Sequence, residues 1–265
     1  MQQIVGLMVL DATELPLKLM INGEITIYSV VDRINFILPS FNEGKNIQHT
    51  LDLISSINIK FIQSIIIVDD HSKNKIKIQD LKKTDKIKKL KVIRNKKNSG
   101  KAFSLKQGLN HLNLTKNDNV IFLDIDGQYS KKSIERIIKL LNEGNDYVFP
   151  TRKKRSVPLR RRIFSNLHNT TISKILNIPT VDFFVGLKGF SFLASEKLRT
   201  TTINMRYSHY ILTICSFKQK SFDISEKDRM FGRSSYNHIN LINLAIKDTL
   251  YALKLRLASK NEKKN

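Results

Sequence analysis

Hydrophobic and polar positions fall into a clear rhythm from Ile34 onward. INFILP (34–39) is a short apolar run closed by Pro39, and KNIQHTLDLISSI after it sets Ile47, Leu51 and Ile54 on one helical face. SIIIVDD (64–70) is apolar up to its two acids and reads as a strand buried on both sides. KLKVIRN (89–95) reads as another strand and KAFSLKQGLNHL (101–112) as a helix. NVIFLDID (119–126) is a third buried strand, KSIERIIKLLNEG (132–144) a helix ended by Gly144, and DYVFPTR (146–152) a further strand. Near-continuous apolar strands alternating with amphipathic helices predict an α/β fold, a mostly parallel central sheet with helices on both faces. Ligands bind at the carboxyl ends of such strands. The polar residues there are Ser40, Phe41, Asn42 and Glu43, then Asp69 and Asp70, then Asp124 and Asp126.

The flanks differ. Residues 1–33 read as an appendage: in LKLMI-NG-EITIY, Asn22 and Gly23 suit a two-residue turn between β-prone runs. Such a hairpin either docks on the main domain or mediates self-association. Residues 71–101 are lysine-rich connections around one strand, and Val157 to Leu176 reads as a basic helix. The tail LINLAIKDTLYALKLRL (241–257) carries apolar residues at helical spacing among lysine and arginine; it either packs on the domain or lies on a membrane surface. The division expected is 1–33, 34–236 for a catalytic domain, and 237–265 for a C-terminal helix and basic tail.

Composition narrows the class. Apolar residues make up 41% of the 265, enough for a sizeable core. The net charge of +23 implies an anionic partner, whether nucleic acid, acidic lipid headgroups or a phosphorylated substrate, or else a merely lysine-rich surface. No helix-turn-helix, zinc spacing or RNA-binding aromatic motif accompanies the charge, so nucleic acid is set aside. The single cysteine, Cys215, excludes an internal disulfide and fits a reducing compartment. No uncharged apolar run reaches membrane-spanning length, and the N-terminal stretch lacks a basic leading region and carries Asp11. These features predict a cytoplasmic protein, peripheral on the cytoplasmic face of the membrane.

FLDIDGQYS (122–130) holds the densest chemistry. Residues i and i+2 of a strand share a side, so Asp124 and Asp126 project together at the end of an apolar run. Adjacent carboxylates repel unless a cation lies near, and hard divalent ions take such oxygens together with substrate phosphates. Gln128 adds a neutral carbonyl. A solvated turn is the competing reading, because Asp, Gly and Ser all favour turns.

ILPSFNE, IIIVDDHS, NSGKAFSLKQG and FLDIDGQ occur in order, and together they resemble the family 2 glycosyltransferases of the GT-A fold, over roughly residues 34–236. D-x-D-x-Q at Asp124, Asp126 and Gln128 is similar to the polyprenyl-phosphate sugar synthases, the dolichol-phosphate mannose synthase type. TRKKRSVPLRRRIFSN resembles their strand-end arginine and R-x-x-S helix, here Arg152, Arg162 and Ser165. VDFFVGLKGF, with Asp182, Gly186 and Lys188, resembles their D-x-x-S-G-F-R, but Val185 and Lys188 replace the serine and the arginine. RMFGRSSY matches R-x-x-G-x-S at Arg229, Gly232 and Ser234, with Ser235 where lysine is usual. His71 stands where glycine is common.

The resemblance implies roles. Mg2+ or Mn2+ on Asp124, Asp126 and Gln128 neutralises a departing diphosphate, and Asp126, Asp182 and Arg229 form the catalytic set. Pro39, Glu43, Asp69, Asp70, Lys101, Asp124 and Arg229 surround a GDP- or UDP-sugar, Lys101 being equally readable as a solvated helix-start lysine. Arg152, Arg162 and Ser165 receive an acceptor phosphate, among the basic cluster formed with Lys153, Lys154, Arg155, Arg160 and Arg161. Relatives acting on hydroxyls carry an acid in the helix after the G-F segment, and Leu198 to Phe222 contains no Asp or Glu. A phosphate acceptor needs no base, whereas a hydroxyl acceptor would need one, with His209 as a substitute. The function implied is inverting, metal-dependent transfer of a hexose to a dolichyl or undecaprenyl phosphate; the alternative is transfer to a hydroxyl of a glycan or lipid-linked oligosaccharide.

Overall fold

The computed structural model describes residues 17–21, 24–28, 33–154, 159–183, 185–225 and 238–261. The chain divides into two compact units, residues 1–32 and 33–265. In the first, β1 (Leu17–Ile21) and β2 (Glu24–Tyr28) pair antiparallel, with Ile21 opposite Glu24. This register leaves two residues for the turn; those two lie outside the described residues.

The second unit opens with β3 (Arg33–Ser40), α1 (Gly44–Ser55), β4 (Ile62–Asp69), β5 (Leu90–Arg94), α2 (Lys101–Asn110), β6 (Asp118–Leu123) and α3 (Lys131–Asn142). It continues with β7 (Tyr147–Lys154), α4 (Leu159–Leu176), β8 (Leu187–Phe190), α5 (Phe192–Thr200), α6 (Ser208–Ile214), β9 (Gln219–Ser225) and α7 (His238–Asn261). The seven-stranded sheet runs β5-β4-β3-β6-β8-β7-β9. Only β8 opposes its neighbours β6 and β7; the other pairings are parallel.

The apolar runs fold as they do because both faces of the central strands are covered. Ile34, Phe36, Ile37 and Leu38 of β3 and Ile65, Ile67 and Val68 of β4 have no exposed surface. The stripe Ile47, Leu51 and Ile54 seats α1, and Ile134, Ile137, Ile138 and Leu141 seat α3. Ser130 caps α3, accepting a hydrogen bond from the Ser133 amide at 3.2 Å. A Cβ at Gly108 would fall 2.4 Å from Cγ2 of Ile37, so glycine there lets α2 lie close on β3. Tyr147 stacks between Phe149 and Phe190, with ring centroids 4.8 and 5.2 Å away. A second, smaller core joins Ile172 and Leu176 of α4 to Tyr207, to Tyr210 of α6 and to Ala252 of α7.

One boundary at the carboxyl edge of the sheet differs from the sequence pattern. The strand read through Asp126 ends at Leu123, where its partner β8 begins at Leu187. The Asp124 amide makes one more bond, to the Gly186 carbonyl at 2.9 Å, and the chain then bends through Gly127 at φ 73°. The strands β8 and β9 and the helices α5 and α6 have no counterpart in the periodicity reading.

Candidate active site

Every parallel strand delivers its carboxyl end to one edge of the sheet, and β8 starts there. The ladder from β3 to β6 ends at Ile37 opposite Phe122, whereas the ladder to β4 runs on to Ser40 opposite Asp69. The last residues of β3 therefore have an open flank toward β6, and a proline at position 39 is tolerated in an interior strand. Strand order reverses here, with β4 and β5 on one side of β3 and β6 on the other. Such a reversal forms the ligand crevice of open α/β sheets.

Buried acids tie the loops on the β4 side. Asp69, with no exposed surface, accepts a bond from the Ser72 amide at 2.8 Å and pairs with the Arg94 guanidinium. Asp70, 4% exposed, accepts from the Asn95 side chain at 2.7 Å and from the amides of Ser99 and Gly100 at 2.9 and 2.7 Å. It thereby fixes the start of α2. Asn42, in the left-handed region at φ 59°, accepts from the Lys73 amide and donates its own amide to Ser72, each at 2.8 Å. Glu43 holds the Asn46 amide group at 2.5 Å. His71 takes φ 63°, which explains why glycine would suit that position. The resemblance gives Asp69 and Asp70 to a base or ribose; here their carboxylates bind the chain's own donors and shape the loops around the crevice.

Lys101, the first residue of α2, meets Asp124 across the crevice. Its Nζ lies 2.6 Å from Oδ1 and 2.7 Å from Oδ2. Gly186 makes room for this carboxylate: a Cβ there would fall 2.1 Å from Oδ2. The Gly186 amide in turn donates to the Tyr129 hydroxyl at 2.7 Å. Asp126 is less open than Asp124, with 6% of its surface exposed, and accepts from the Gln128 amide at 3.2 Å. The two acids are thus unequal, because both lie beyond the end of β6 rather than on it.

The other flank is cationic. Arg152, near the end of β7, donates from Nε to Asp182 at 2.5 Å, and Asn169 of α4 reaches the same carboxylate at 3.5 Å. Arg162 is exposed and Ser165 half-buried on the first half of α4. Lys188 of β8 is buried, with its ammonium 3.3 Å from the Ser208 hydroxyl. Burial, with the charge of Lys101, pushes the Lys188 ammonium down to about 8 against the pull of Asp182 and Asp124. His209 is buried against Tyr147 and Phe149, and neither ring nitrogen has a hydrogen-bond partner among the described residues. Burial and the nearby Lys188 push it down to about 3, which makes it a weak base. Arg229, Gly232 and Ser234 lie outside the described residues.

Among the described residues no three His, Cys, Asp or Glu side chains converge to cage a metal. By donor chemistry, the carboxylates of Asp124 and Asp126 and the side-chain carbonyl of Gln128 are the hard oxygens that a divalent cation would take together with water and substrate oxygens. Asp124 already accommodates positive charge on both oxygens, in the form of the Lys101 ammonium. Local pattern does not reveal Arg94, Asn95, Tyr129 or the linkage of Asp70 to Gly100, since the partners lie 25 to 57 residues apart. The departure of Lys188 from the resembled motif is the one signal that points to it.

The sequence profile of Glycosyl transferase family 2 matches residues 35–222. An uncharacterised protein of Methanocaldococcus jannaschii is 30% identical over 184 residues, covering 66% of this chain and 78% of its own. An undecaprenyl-phosphate 4-deoxy-4-formamido-L-arabinose transferase of Photorhabdus laumondii is 24% identical over 222 residues, covering 82% of this chain and 67% of its own. Among solved structures, glucosyl-3-phosphoglycerate synthase of Mycobacterium tuberculosis, in complex with Mn2+, UDP and glucosyl-3-phosphoglycerate, superposes with TM-score 0.61 at 16% identity, covering 85% of this chain and 80% of its own. Mannosyl-3-phosphoglycerate synthase of Rubrobacter xylanophilus gives 0.58 at 13% identity, covering 87% and 75%. These superpositions establish the GT-A glycosyltransferase fold.

Proposed function

Because the chain belongs to glycosyl transferase family 2, we propose that it moves a hexose from a GDP- or UDP-sugar to the phosphate of a polyprenyl lipid, with inversion, at the cytoplasmic face of a membrane. One observation carries this choice of acceptor: among the described residues, the acceptor flank is cationic and offers no competent base. Glu196 is bound to Arg199 at 2.5 Å, His209 is buried and weakly basic, and Asp182 is paired with Arg152. A phosphate oxygen is already anionic at neutral pH and attacks the anomeric carbon without proton removal, as the bond to the donor's diphosphate breaks. Similarity to undecaprenyl-phosphate sugar transferases supports the same reading.

The roles in this reading combine those the family resemblance implies with the side-chain contacts described above. Pro39, Glu43 and the loops tied by Asp69 and Asp70 line the nucleotide pocket. Asp124, Asp126 and Gln128 hold Mg2+ or Mn2+, which supplies positive charge to the leaving diphosphate. Asp182 positions Arg152, which with Arg162 and Ser165 takes the acceptor phosphate. Arg229 adds positive charge to the donor's phosphates.

Peripheral attachment fits the surface. No helix among the described residues is long and apolar enough to cross a membrane. Yet α7 exposes Ile246, Leu250, Leu253 and Leu257 along one side, and α4 exposes Ile163 and Leu167. Lys247 and Lys254 flank the α7 stripe, a pattern suited to an anionic lipid surface.

The test is transfer from labelled GDP-mannose or UDP-glucose, with Mn2+, to dolichyl or undecaprenyl phosphate beside glycan and 3-phosphoglycerate acceptors. The expected product is the polyprenyl-phosphate sugar. Product from a hydroxyl acceptor alone would establish the alternative transfer instead.

A further inference from the structure

We infer that Lys101 is the built-in counter-ion of Asp124, that a divalent cation gains this carboxylate only by displacing the ammonium, and that the freed ammonium turns to the donor's diphosphate. The inference rests on the reading of Asp124 as a cation ligand and adds a binding order to it: metal and nucleotide enter as a unit.

Four observations carry it. First, Lys101 covers both oxygens of Asp124, at 2.6 and 2.7 Å, so ammonium and metal compete for the same atoms. Second, Lys101 occupies the first turn of α2, where the positive end of the helix disfavours a cation. Nothing local to the helix accounts for a lysine there; the carboxylate opposite does. Third, only the lysine is free to move. The Asp124 backbone is bonded to Gly186 at 2.9 Å and its side chain is packed against Gly186, whereas the Lys101 side chain is 43% exposed on a flexible stem. Its backbone stays in place because Asp70 holds Ser99 and Gly100. Fourth, Lys188 is buried within reach of the same charges. A metal arriving alone would meet two ammonium groups, whereas a metal arriving with a diphosphate brings their counter-charge.

The experiment measures Mn2+ binding to the full chain without nucleotide, by the electron paramagnetic resonance signal of free Mn2+, for the parent, Lys101→Met, Lys101→Arg and Asp124→Asn. Circular dichroism confirms that each is folded. Lys101→Met is expected to bind Mn2+ up to roughly fivefold tighter than the parent, the scale of a half-exposed ion pair. Lys101→Arg, which keeps the charge, is expected to bind no tighter than the parent. With saturating GDP or UDP the advantage of Lys101→Met should vanish or reverse, because the parent regains the ammonium as a phosphate contact. Equal or weaker Mn2+ binding by Lys101→Met, with Asp124→Asn deficient, overturns the counter-ion role and leaves the metal site standing. An advantage undiminished by nucleotide overturns the transfer to diphosphate. Parent-like Mn2+ binding by Asp124→Asn overturns the metal assignment, and this inference with it.

Discussion

The carboxylate of Asp124 rests against Gly186 so closely that a Cβ at position 186 would fall 2.1 Å from Oδ2, 2.4 Å from Cγ and 2.9 Å from Cβ of the aspartate. Rotating the aspartate side chain would not clear all three atoms. Gly186→Ala should therefore shift Asp124 bodily, at a stability cost of about 1–3 kcal/mol. A displaced catalytic group loses on the order of a hundredfold in rate. Steady-state transfer and thermal melts should show a large fall in kcat and a modest fall in Tm; unchanged activity would mean that the Asp124 position is not critical.

Asp70 does its work through three donors, the Asn95 side chain and the amides of Ser99 and Gly100. Asp70→Ala would strand all three near the start of α2. Bonds to a buried charge are worth about 1.5–3 kcal/mol each before relaxation, so a net loss of about 3 kcal/mol is expected in urea melts. Nucleotide affinity should fall as well, because Lys101 loses its anchored backbone. A loss of affinity without loss of stability would instead indicate direct contact between Asp70 and the ligand.

The central strands were legible because burial on both faces writes a continuous apolar run, as in FILP of β3 and IIIV of β4. The strands β8 and β9 were not. LKGF is four residues long and contains a lysine that is buried only by tertiary packing, and QKSFDIS is an edge strand of mixed polarity. The chemistry was legible in part. Asp124, Lys101, Arg152 and Asp182 stand out as residues in motifs, but motifs do not say that Lys101 faces Asp124 or that Arg152 grips Asp182. Those pairings span 23 and 30 residues and depend on how the strand ends are brought to one edge.

Lys188 links stability to pH. Its folded value near 8 lies below the ordinary 10.5, so between these limits the unfolded chain binds the extra proton. Stability from this residue therefore rises as pH climbs from about 8 to 10.5, and the penalty is fully present below 8. The groups acting on it are Lys101 and Arg206, which lower it, and Asp182 and Asp124, which raise it. Lys188→Met should be more stable than the parent at pH 7, by up to roughly 3 kcal/mol, with the gap closing toward pH 10.5. Chemical denaturation of both proteins across that range is the measurement, and a gap independent of pH would show that Lys188 does not titrate there.

The outward face of α7 tests the proposed seat at the membrane. Asp248 accepts from Arg206 at 2.5 Å, and Tyr207 donates to the Asp248 carbonyl at 3.0 Å. These bonds, with buried Ala252, fix the inner face of the helix. Leu250 and Leu253, on the opposite side, are 62% and 44% exposed and contribute little to that docking. Leu250→Glu combined with Leu253→Glu should therefore leave Tm nearly unchanged. On vesicles containing anionic lipid, each leucine withdrawn from the interface removes about 1 kcal/mol, so binding should weaken at least tenfold. Salt should weaken the parent's binding as well, because Lys247 and Lys254 supply the electrostatic part. Vesicle flotation reads both effects. Undiminished flotation of the double variant would assign membrane contact to another surface, and conversion of a parent dimer to monomer would identify the stripe as a contact between copies of the chain.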